Sequence, residues 1–334
     1  MPSGRVWGWG PRREPLVTTP SNIVPPKGAR DGQLMRGQSL PVRLANFVKL
    51  PHTVFAMPFS LVGVIFASVI APVTPATVGW VLLAFTSARF AAMAFNRLVD
   101  RDVDAINPRT AMRELPAGTL TVGQAKFSIA LMSALFLFAS WMLNPLCFAL
   151  APVALLWVLG YSYTKRFTRW SHLWLGLGLA IAPVGGFLAV TGAWSEPWWL
   201  LIVLALAVVC WSGGFDMIYA LQDAEFDAKH GLHSVPSTFG VHKAIGIARA
   251  LHVLAVVCFA GVIATQPLGA APVVNGILWA GVAGIAGMLL WEHRLVKADD
   301  LSRVDAAFFT MNGIISIGFL AAVFTARLLM GGTA

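Results

Sequence analysis

The chain has 334 residues, of which 57% are hydrophobic and only 12% are charged, and its mean hydropathy is +0.72. This composition excludes an ordinary soluble domain and is typical of an integral membrane protein. The formal net charge of +9 could suit nucleic acid, but the basic residues gather in one set of loops, as membrane insertion alone would require, so we expect no nucleic-acid partner.

Residues 1–42 are rich in Pro, Gly, Arg and Ser and contain no apolar core of the kind a signal peptide needs. We therefore predict a disordered basic tail that lies on anionic membrane lipid. Residues 43–330 contain no linker that could separate domains, which predicts a single membrane domain.

Nine apolar segments follow the tail, each of roughly 17 to 25 residues, the length that a tilted spanning helix needs. Their centres lie near Phe66, Ala88, Leu135, Ala154, Ala182, Ala207, Val256, Val282 and Phe319. No alternation of polar and apolar residues suggests barrel strands. The sequence thus predicts an all-α polytopic membrane protein with nine transmembrane helices in one bundle around a central cavity.

Lysines and arginines are concentrated before the first segment and after the second, fourth, sixth and eighth. By the positive-inside rule, these loops and the N-terminus are predicted to be cytoplasmic, in a bacterial-type inner membrane.

The first charged cluster ends the second segment, in the sequence NRLVDRDVD. On a helix, Asn96, Asp100 and Asp104 share one face because they are spaced four apart. Arg89, seven residues before Asn96, lies on the same face but deeper in the bilayer. A mid-membrane arginine costs about 2.5 to 3.5 kcal/mol on insertion scales. We interpret it as a ligand of a substrate's diphosphate or carboxylate, or as a structural ion-pair partner.

The second charged cluster ends the sixth segment, in the sequence YALQDAEFD. Tyr219, Asp223 and Asp227 repeat the spacing of the first cluster, and Asp216 joins them on the same face. Each of the three repeated positions is offset from its partner by 123 residues. This offset suggests an ancient internal duplication, which occurs in membrane bundles.

Carboxylates one turn apart repel, so something positive must offset them. One explanation is pairing with Arg101, Arg109 and Arg113 in a solvated loop. Another is a hard divalent cation, Mg²⁺ first, because the donors are carboxylate and amide oxygens. Mg²⁺ is commonly bound through carboxylates and a substrate's phosphates, so the second explanation predicts a diphosphate site. Nearby bases would complete the neutralisation.

Two shorter sequences carry weaker signals. YSYTKR closes the fourth segment on the same side, so Tyr161 and Lys165 either contact substrate or anchor the helix at the interface. GLGLAIAPVGG lacks the third glycine of a dinucleotide fingerprint, and its small residues predict close helix contact.

The paired motifs, followed by NPRTAMRELPAG and KHGLHSVPSTFG, resemble the UbiA superfamily of intramembrane prenyltransferases. The sequence of these motifs is similar to that of 4-hydroxybenzoate polyprenyltransferases and of the futalosine-pathway enzymes of menaquinone synthesis. The resemblance implies transfer of a polyprenyl group from polyprenyl diphosphate to a ring carbon of a hydroxyaromatic acid, with Mg²⁺, in ubiquinone or menaquinone biosynthesis.

The resemblance also assigns roles. Asn96, Asp100, Asp104, Asp223 and Asp227 would bind Mg²⁺ and diphosphate, with the four aspartates catalytic, and Arg109, Arg113 and Lys165 would assist. Tyr219 stands where the first motif has Asn96 and is a poor Mg²⁺ ligand, so it and Asp216 are assigned to the substrate pocket.

Two other functions fit parts of the pattern. An ion-coupled transporter also uses membrane acids, but its site should lie near the midplane. A CDP-alcohol phosphotransferase would carry DGxxAR before its aspartates, and the sequence has none.

Overall fold

The structure, a computed structural model, describes residues 39–49, 56–265 and 271–331, which are helical apart from loops and one isolated bridge between Lys297 and Asp300. The helices are α1 (Leu40–Phe47), α2 (Met57–Ala67), α3 (Pro75–Val99), α4 (Arg101–Ile106), α5 (Val122–Leu143), α6 (Pro145–Thr164), α7 (Ser171–Thr191), α8 (Leu200–Tyr219), α9 (Ala224–Lys229), α10 (Val235–Phe239), α11 (Val241–Thr265), α12 (Pro272–Leu295), α13 (Val304–Ala306) and α14 (Asn312–Gly331). A 3₁₀ turn, Ala220–Asp223, joins α8 to α9, and a π-helical turn, Ala307–Met311, precedes α14.

Helix ends follow from local sequence. Thr74 caps α3 through its side chain, and Pro75 takes the first helical position, where its missing N–H costs nothing. Thr121 and Gln124 form a reciprocal capping box at the start of α5. Gly192 ends α7 with φ 62°, a left-handed conformation that glycine adopts without strain.

Eight helices in the described residues are long and apolar enough to cross a membrane: α3, α5, α6, α7, α8 with its extension, α11, α12 and α14. The segment predicted around Phe66 corresponds to α2, an apolar helix of 11 residues. That length is shorter than a spanning helix needs. The all-α membrane bundle is therefore confirmed, while the count of nine spanning helices stays a prediction.

Neighbouring helices close a ring. The successive pairs that pack together are α2 with α3, α3 with α5, α5 with α6, α6 with α7, α7 with α8, α8 with α11, α11 with α12, α12 with α14, and α14 with α2. Because α2 also packs along α7, it is buried on nearly every side despite its length. The aromatic rings of Phe59, Trp211, Phe259 and Phe319 meet where α2, α8, α11 and α14 converge.

Two glycines predicted to serve helix contact do so. A Cβ on Gly186 of α7 would lie 2.0 Å from the backbone oxygen of Ser60 in α2, and one on Gly176 would lie 2.8 Å from the oxygen of Val209 in α8. Both distances are too short for any side chain, so these glycines allow the backbones to approach.

The predicted domain boundary between residues 42 and 43 falls inside α1, whose first turn begins at Leu40. Residues 1–38, where most of the predicted tail lies, are outside the described residues.

Candidate active site

Both acidic motifs interrupt their helices at the same position. α3 ends at Val99, and Asp100 (φ −92°, ψ 3°) joins it to α4. In the second motif, Asp223 (φ −103°, ψ 0°) joins the 3₁₀ turn to α9. The assumption that one continuous helix runs through each motif was therefore wrong. The breaks occur at positions offset by the same 123 residues, which supports the internal duplication.

A cavity of about 230 Å³ opens between these two helix breaks, at the end of the bundle where α3, α6 and α8 terminate. All twelve residues that the sequence analysis selected line it: Arg89, Asn96, Asp100, Asp104, Arg109, Arg113, Tyr161, Lys165, Asp216, Tyr219, Asp223 and Asp227. The two acidic clusters thus face one shared space.

Three of the aspartates that line the cavity form ion pairs with basic residues that the sequence analysis also assigned to the site. Arg113 Nη1 donates to both oxygens of Asp104 at 2.8 and 2.9 Å. Arg109 binds Asp223 through two nitrogens, with its Nε 2.9 Å from Oδ1. Lys165 Nζ lies 3.2 Å from Asp227 Oδ2. Each contact crosses from one chain segment to another, so the ion pairs also hold the cavity wall together.

Asp100 has two partners. Asn96 donates to its Oδ2 at 2.9 Å, and Arg166 donates to its Oδ1 at 3.0 Å. Arg166 also contacts the backbone oxygens of Ser162 and Val99, so it ties the end of α6 to the end of α3. Burial raises the pKa of the Asp100 carboxyl, and the Arg166 guanidinium opposes that rise.

The bases respond to these carboxylates. Burial alone would lower the pKa of Lys165, but Asp227 and the neighbouring acids more than offset it and the pKa is raised. Burial likewise opposes a rise for Arg109, yet Asp223 raises its pKa. Both side chains therefore stay cationic in the cavity.

The loop after the first motif reaches the second motif directly. Asn107 Nδ2 donates to Asp223 Oδ1 at 3.3 Å, beside the Arg109 contact. Arg109 Nη1 also donates to the hydroxyl of Tyr219 at 3.3 Å. The segments of the two acidic motifs are thus joined through hydrogen bonds at the cavity rather than through apolar packing alone.

An aromatic wall covers another side of the cavity. The π-helical turn Ala307–Met311 brings the consecutive residues Phe308 and Phe309 onto it together. Phe308 packs on Tyr219 with ring centroids 4.4 Å apart and on Phe215 at 5.2 Å. The ring centroids of Phe308 and Phe309 lie 4.6 Å apart, so the two rings form one continuous surface.

Below the ion-paired aspartates, the cavity holds Arg89, Tyr161 and Asp216. Arg89 and Asp216 precede their motifs' first positions by seven and three residues, and Tyr161 precedes Lys165 by four, so all three lie deeper. The cavity therefore has a level of ion-paired residues near the helix ends and a deeper level that holds an arginine, a tyrosine and an aspartate.

Several lining residues escaped sequence analysis: Lys49, Arg97, Asn107, Phe215, Phe308 and Phe309. Arg166, which donates to Asp100, was also missed. Lys49 follows α1, and burial, with Arg97 and Arg113 next, lowers its pKa to about 6. Arg166 adjoins Lys165 in the sequence YSYTKR, and Asn107 opens the sequence NPRT, so both were within quoted motifs.

The donor set fits a hard divalent cation. Carboxylate and amide oxygens from both motifs face the cavity without a thiolate or histidine among them, as Mg²⁺ prefers. Within the described ranges, no three His, Cys, Asp or Glu side chains already converge as a ligand cluster. The four motif aspartates are instead each paired with an arginine or a lysine, which keeps like charges apart.

Fold and cavity together define an α-helical membrane protein with a cavity lined by acids and bases at one end of the bundle. The model of the UbiA prenyltransferase family matches residues 56–314, so the chain belongs to that family. It is therefore a membrane-embedded prenyltransferase, as the paired motifs predicted.

Relatives agree with this assignment. A 4-hydroxybenzoate octaprenyltransferase of Aromatoleum aromaticum is 30% identical over 70% of this chain and 76% of its own. A solved UbiA homologue from Aeropyrum pernix K1 is 30% identical, with a TM-score of 0.74 over 82% of this chain and 98% of its own. A UbiA homologue from Archaeoglobus fulgidus, bound to GPP and Mg²⁺, shares the fold at 21% identity, with a TM-score of 0.67 over 86% and 99% of the two chains.

Proposed function

We propose that the chain transfers a polyprenyl group from polyprenyl diphosphate to a ring carbon of a hydroxyaromatic acid resembling 4-hydroxybenzoate, in ubiquinone or menaquinone biosynthesis. The observation that carries the proposal is the two-level cavity, with ion-paired acids and bases in the upper level and Arg89, Tyr161 and Asp216 in the lower level. The name of the Aromatoleum relative supports the acceptor class.

The upper level receives the diphosphate. Arg109, Arg113 and Lys165 are positioned to bind its oxygens once these replace the aspartates as partners. Preorganised cations stabilise the charge that develops on the departing diphosphate as the allylic C–O bond breaks.

Mg²⁺ would be held by Asn96, Asp100, Asp104, Asp223 and Asp227. When bound, it supplies Lewis-acid neutralisation of the diphosphate. The Mg²⁺ and GPP bound by the Archaeoglobus homologue favour this choice of ion.

The aromatic wall suits the prenyl end of the reaction. Phe215, Tyr219, Phe308 and Phe309 exclude water from the side of the cavity next to the charged level. Their faces stabilise an allylic cation by cation–π contact and protect it from hydrolysis.

The lower level binds the acceptor. Arg89 supplies a cation for its carboxylate, while Tyr161 and Asp216 supply polar contacts beneath the diphosphate. The ring then attacks the allylic carbon, the C–O bond electrons leave with the diphosphate, and transfer of the ring proton to the released diphosphate or to an aspartate restores aromaticity. A transporter would need its polar site near the midplane, whereas the charged residues here gather at one end.

In this proposal the cavity faces the cytoplasm across a bacterial-type inner membrane. The side follows from the lysines and arginines in the loops at that end, and the polyprenyl tail lies in the surrounding lipid.

Membranes containing the chain should be incubated with Mg²⁺, a labelled polyprenyl diphosphate and a panel of hydroxyaromatic acids, and the products identified by mass. We expect a C-prenylated hydroxyaromatic acid that forms only with Mg²⁺. Membranes containing the Asp223→Asn variant serve as the matched negative control for product formation. Prenyl transfer to none of the acids, in membranes that hold folded protein, would contradict the proposal.

A further inference from the structure

His172 lies in the first turn of α7, and its side chain is fully buried. Its Nδ1 is 2.7 Å from Asp216 Oδ2, and the backbone N–H of Val235 donates to its Nε2 at 3.3 Å. Because Nε2 accepts that hydrogen bond, the proton of the neutral ring resides on Nδ1 and points at Asp216. The amide of Val235 therefore fixes the tautomer.

Asp216 differs from the other cavity aspartates. Asp100, Asp104, Asp223 and Asp227 each lie within 3.2 Å of an arginine or lysine nitrogen. Within the described residues, the polar contact of Asp216 is with His172, and 15% of its side-chain surface remains exposed. Asp216 thus presents to the cavity a carboxylate whose partner in the described part of the chain is a histidine rather than an arginine or a lysine.

The position of Asp216 suits an acceptor's hydroxyl. Tyr219 and Asn96 occupy matching positions of the two motifs, with Asp216 three residues before one and Arg89 seven before the other. If the matching residues Asn96 and Tyr219 lie at the same depth, Arg89 is four residues further along its helix than Asp216, which is about 6 Å deeper. A ring with its carboxyl and hydroxyl at opposite ends could therefore reach both residues.

We propose that His172 is a positioning residue for prenyl transfer, holding Asp216 so that its carboxylate accepts a hydrogen bond from the acceptor's hydroxyl. This inference rests on the proposed function. Accepting that bond increases electron density on the ring and fixes the adjacent ring carbon toward the allylic carbon. His172 itself touches no substrate.

The alternative is that His172 is purely structural and acts through its hydrogen bond with the Val235 N–H rather than through Asp216. Val235 begins α10, in the segment after the second motif, so the Val235 N–H contact alone could serve to anchor that segment. Two substitutions separate the roles. His172→Asn keeps a side-chain donor near the position of Nδ1, facing Asp216, whereas His172→Gln keeps an acceptor near Nε2, facing Val235.

The test compares turnover and KM for both substrates in the two purified variants and in the wild-type protein, with thermal melting as the measure of folding. We expect His172→Asn to retain most of the wild-type kcat. We expect His172→Gln to lose about tenfold or more, as for a lost hydrogen bond to a charged group. The KM for polyprenyl diphosphate should stay unchanged in both, because its ligands are untouched.

A double substitution provides the second measurement. In an Asp216→Asn background, His172→Gln should cause no further loss, because its effect is transmitted through Asp216. If His172→Gln melts well below the wild-type protein, Asp216→Asn replaces it and must show the same loss of kcat with the same KM for polyprenyl diphosphate.

Other outcomes overturn the inference. Equal losses in the two single variants, a larger loss in His172→Asn, wild-type turnover in both, or a further tenfold loss in the double variant would each do so. A wild-type protein that forms no prenylated product would instead contradict the proposed function, so the two failures are distinguishable.

Discussion

Asp104 and Asp223 are bound by Arg113 and Arg109, two arginines of the loop that follows the first motif. The sequence offered ion pairing in a solvated loop and a metal–diphosphate site as rival explanations of this cluster. The pairs form, but they line a cavity and are mostly buried rather than solvated. The two explanations are therefore compatible, because in the proposed function the same bases bind the diphosphate once it replaces the aspartates.

Replacing Asp223 tests this site. Asp223→Asn removes the charge that binds Arg109 and one proposed Mg²⁺ ligand, so we expect prenyl transfer to fall about 100-fold or more. Asp102→Asn is the matched control, because the Asp102 side chain is 86% exposed on the neighbouring helix α4. Turnover and melting temperature in detergent check both. Similar activity in the two variants would exclude Asp223 from the site.

We expect Lys49 to make the proposed binding of diphosphate dependent on pH. With its pKa lowered to about 6, it is mostly neutral at pH 7.5 in the free protein. A bound diphosphate favours the charged form and raises that pKa, so binding takes up a proton and weakens as pH rises above about 6. Titration calorimetry with inorganic pyrophosphate and Mg²⁺ at pH 7.5, in buffers of different ionisation enthalpy, measures the uptake.

The Lys49→Met variant is the control for that measurement. Pyrophosphate itself titrates near neutral pH, so the informative quantity is the difference between the two proteins. We expect wild-type protein to take up close to one proton more than the variant. Identical uptake would mean that Lys49 keeps its ionisation state on binding.

At the scale of the element, both acidic motifs leave the α-helical conformation at matching aspartates, Asp100 and Asp223, as the predicted duplication would lead one to expect. A continuous helix through Asp100 or Asp223 was the natural expectation from the spacing of four, since the apolar pattern before each motif is helical. Helix propensity does not indicate such a break, because neither motif contains Gly or Pro. The contacts of Asp100 and Asp223 with bases from other segments accompany the breaks.

The contact between α2 and α7 gives a prediction on stability. Gly186→Ala would place a Cβ 2.0 Å from the backbone oxygen of Ser60, which no rotamer can relieve. We expect a loss of at least about 1 to 3 kcal/mol, because one helix must move. Gly185→Ala is the adjacent control, since its Cβ meets no atom within 4 Å. Melting in detergent compares them, and equal stability would contradict the close packing.

Sequence reasoning found the parts of the site that depend on local spacing. The two acidic motifs and Tyr161 with Lys165 share helix faces that a period of 3.6 reveals. Lys49 and Phe308 were missed because they reach the cavity through chain packing that no periodicity encodes. The π-helical turn also has no sequence signal, so the pairing of Phe308 with Phe309 on one wall required coordinates.

At the scale of the whole molecule, the cavity lies at one end of the ring of helices, and short loops among the described residues connect the helices at the other end. The end that holds the cavity carries the basic loops after α3 and α6, whereas the α7–α8 connection at the opposite end, Gly192–Trp199, contains no lysine or arginine. This asymmetry is the signal that determines topology during insertion. It predicts that both substrates meet at the cytoplasmic surface.

Cysteine labelling in intact cells tests that orientation. Ala193→Cys places an exposed thiol in the α7–α8 connection, and Asp102→Cys places one beside the cavity. Native Cys210 and Cys258 are buried, and Cys147 is partly buried, so unsubstituted protein gives the background. A membrane-impermeant maleimide should label Ala193→Cys in intact cells but Asp102→Cys only after the membrane is opened. The reverse pattern would place the active site on the outer surface and contradict the topology inferred from charge.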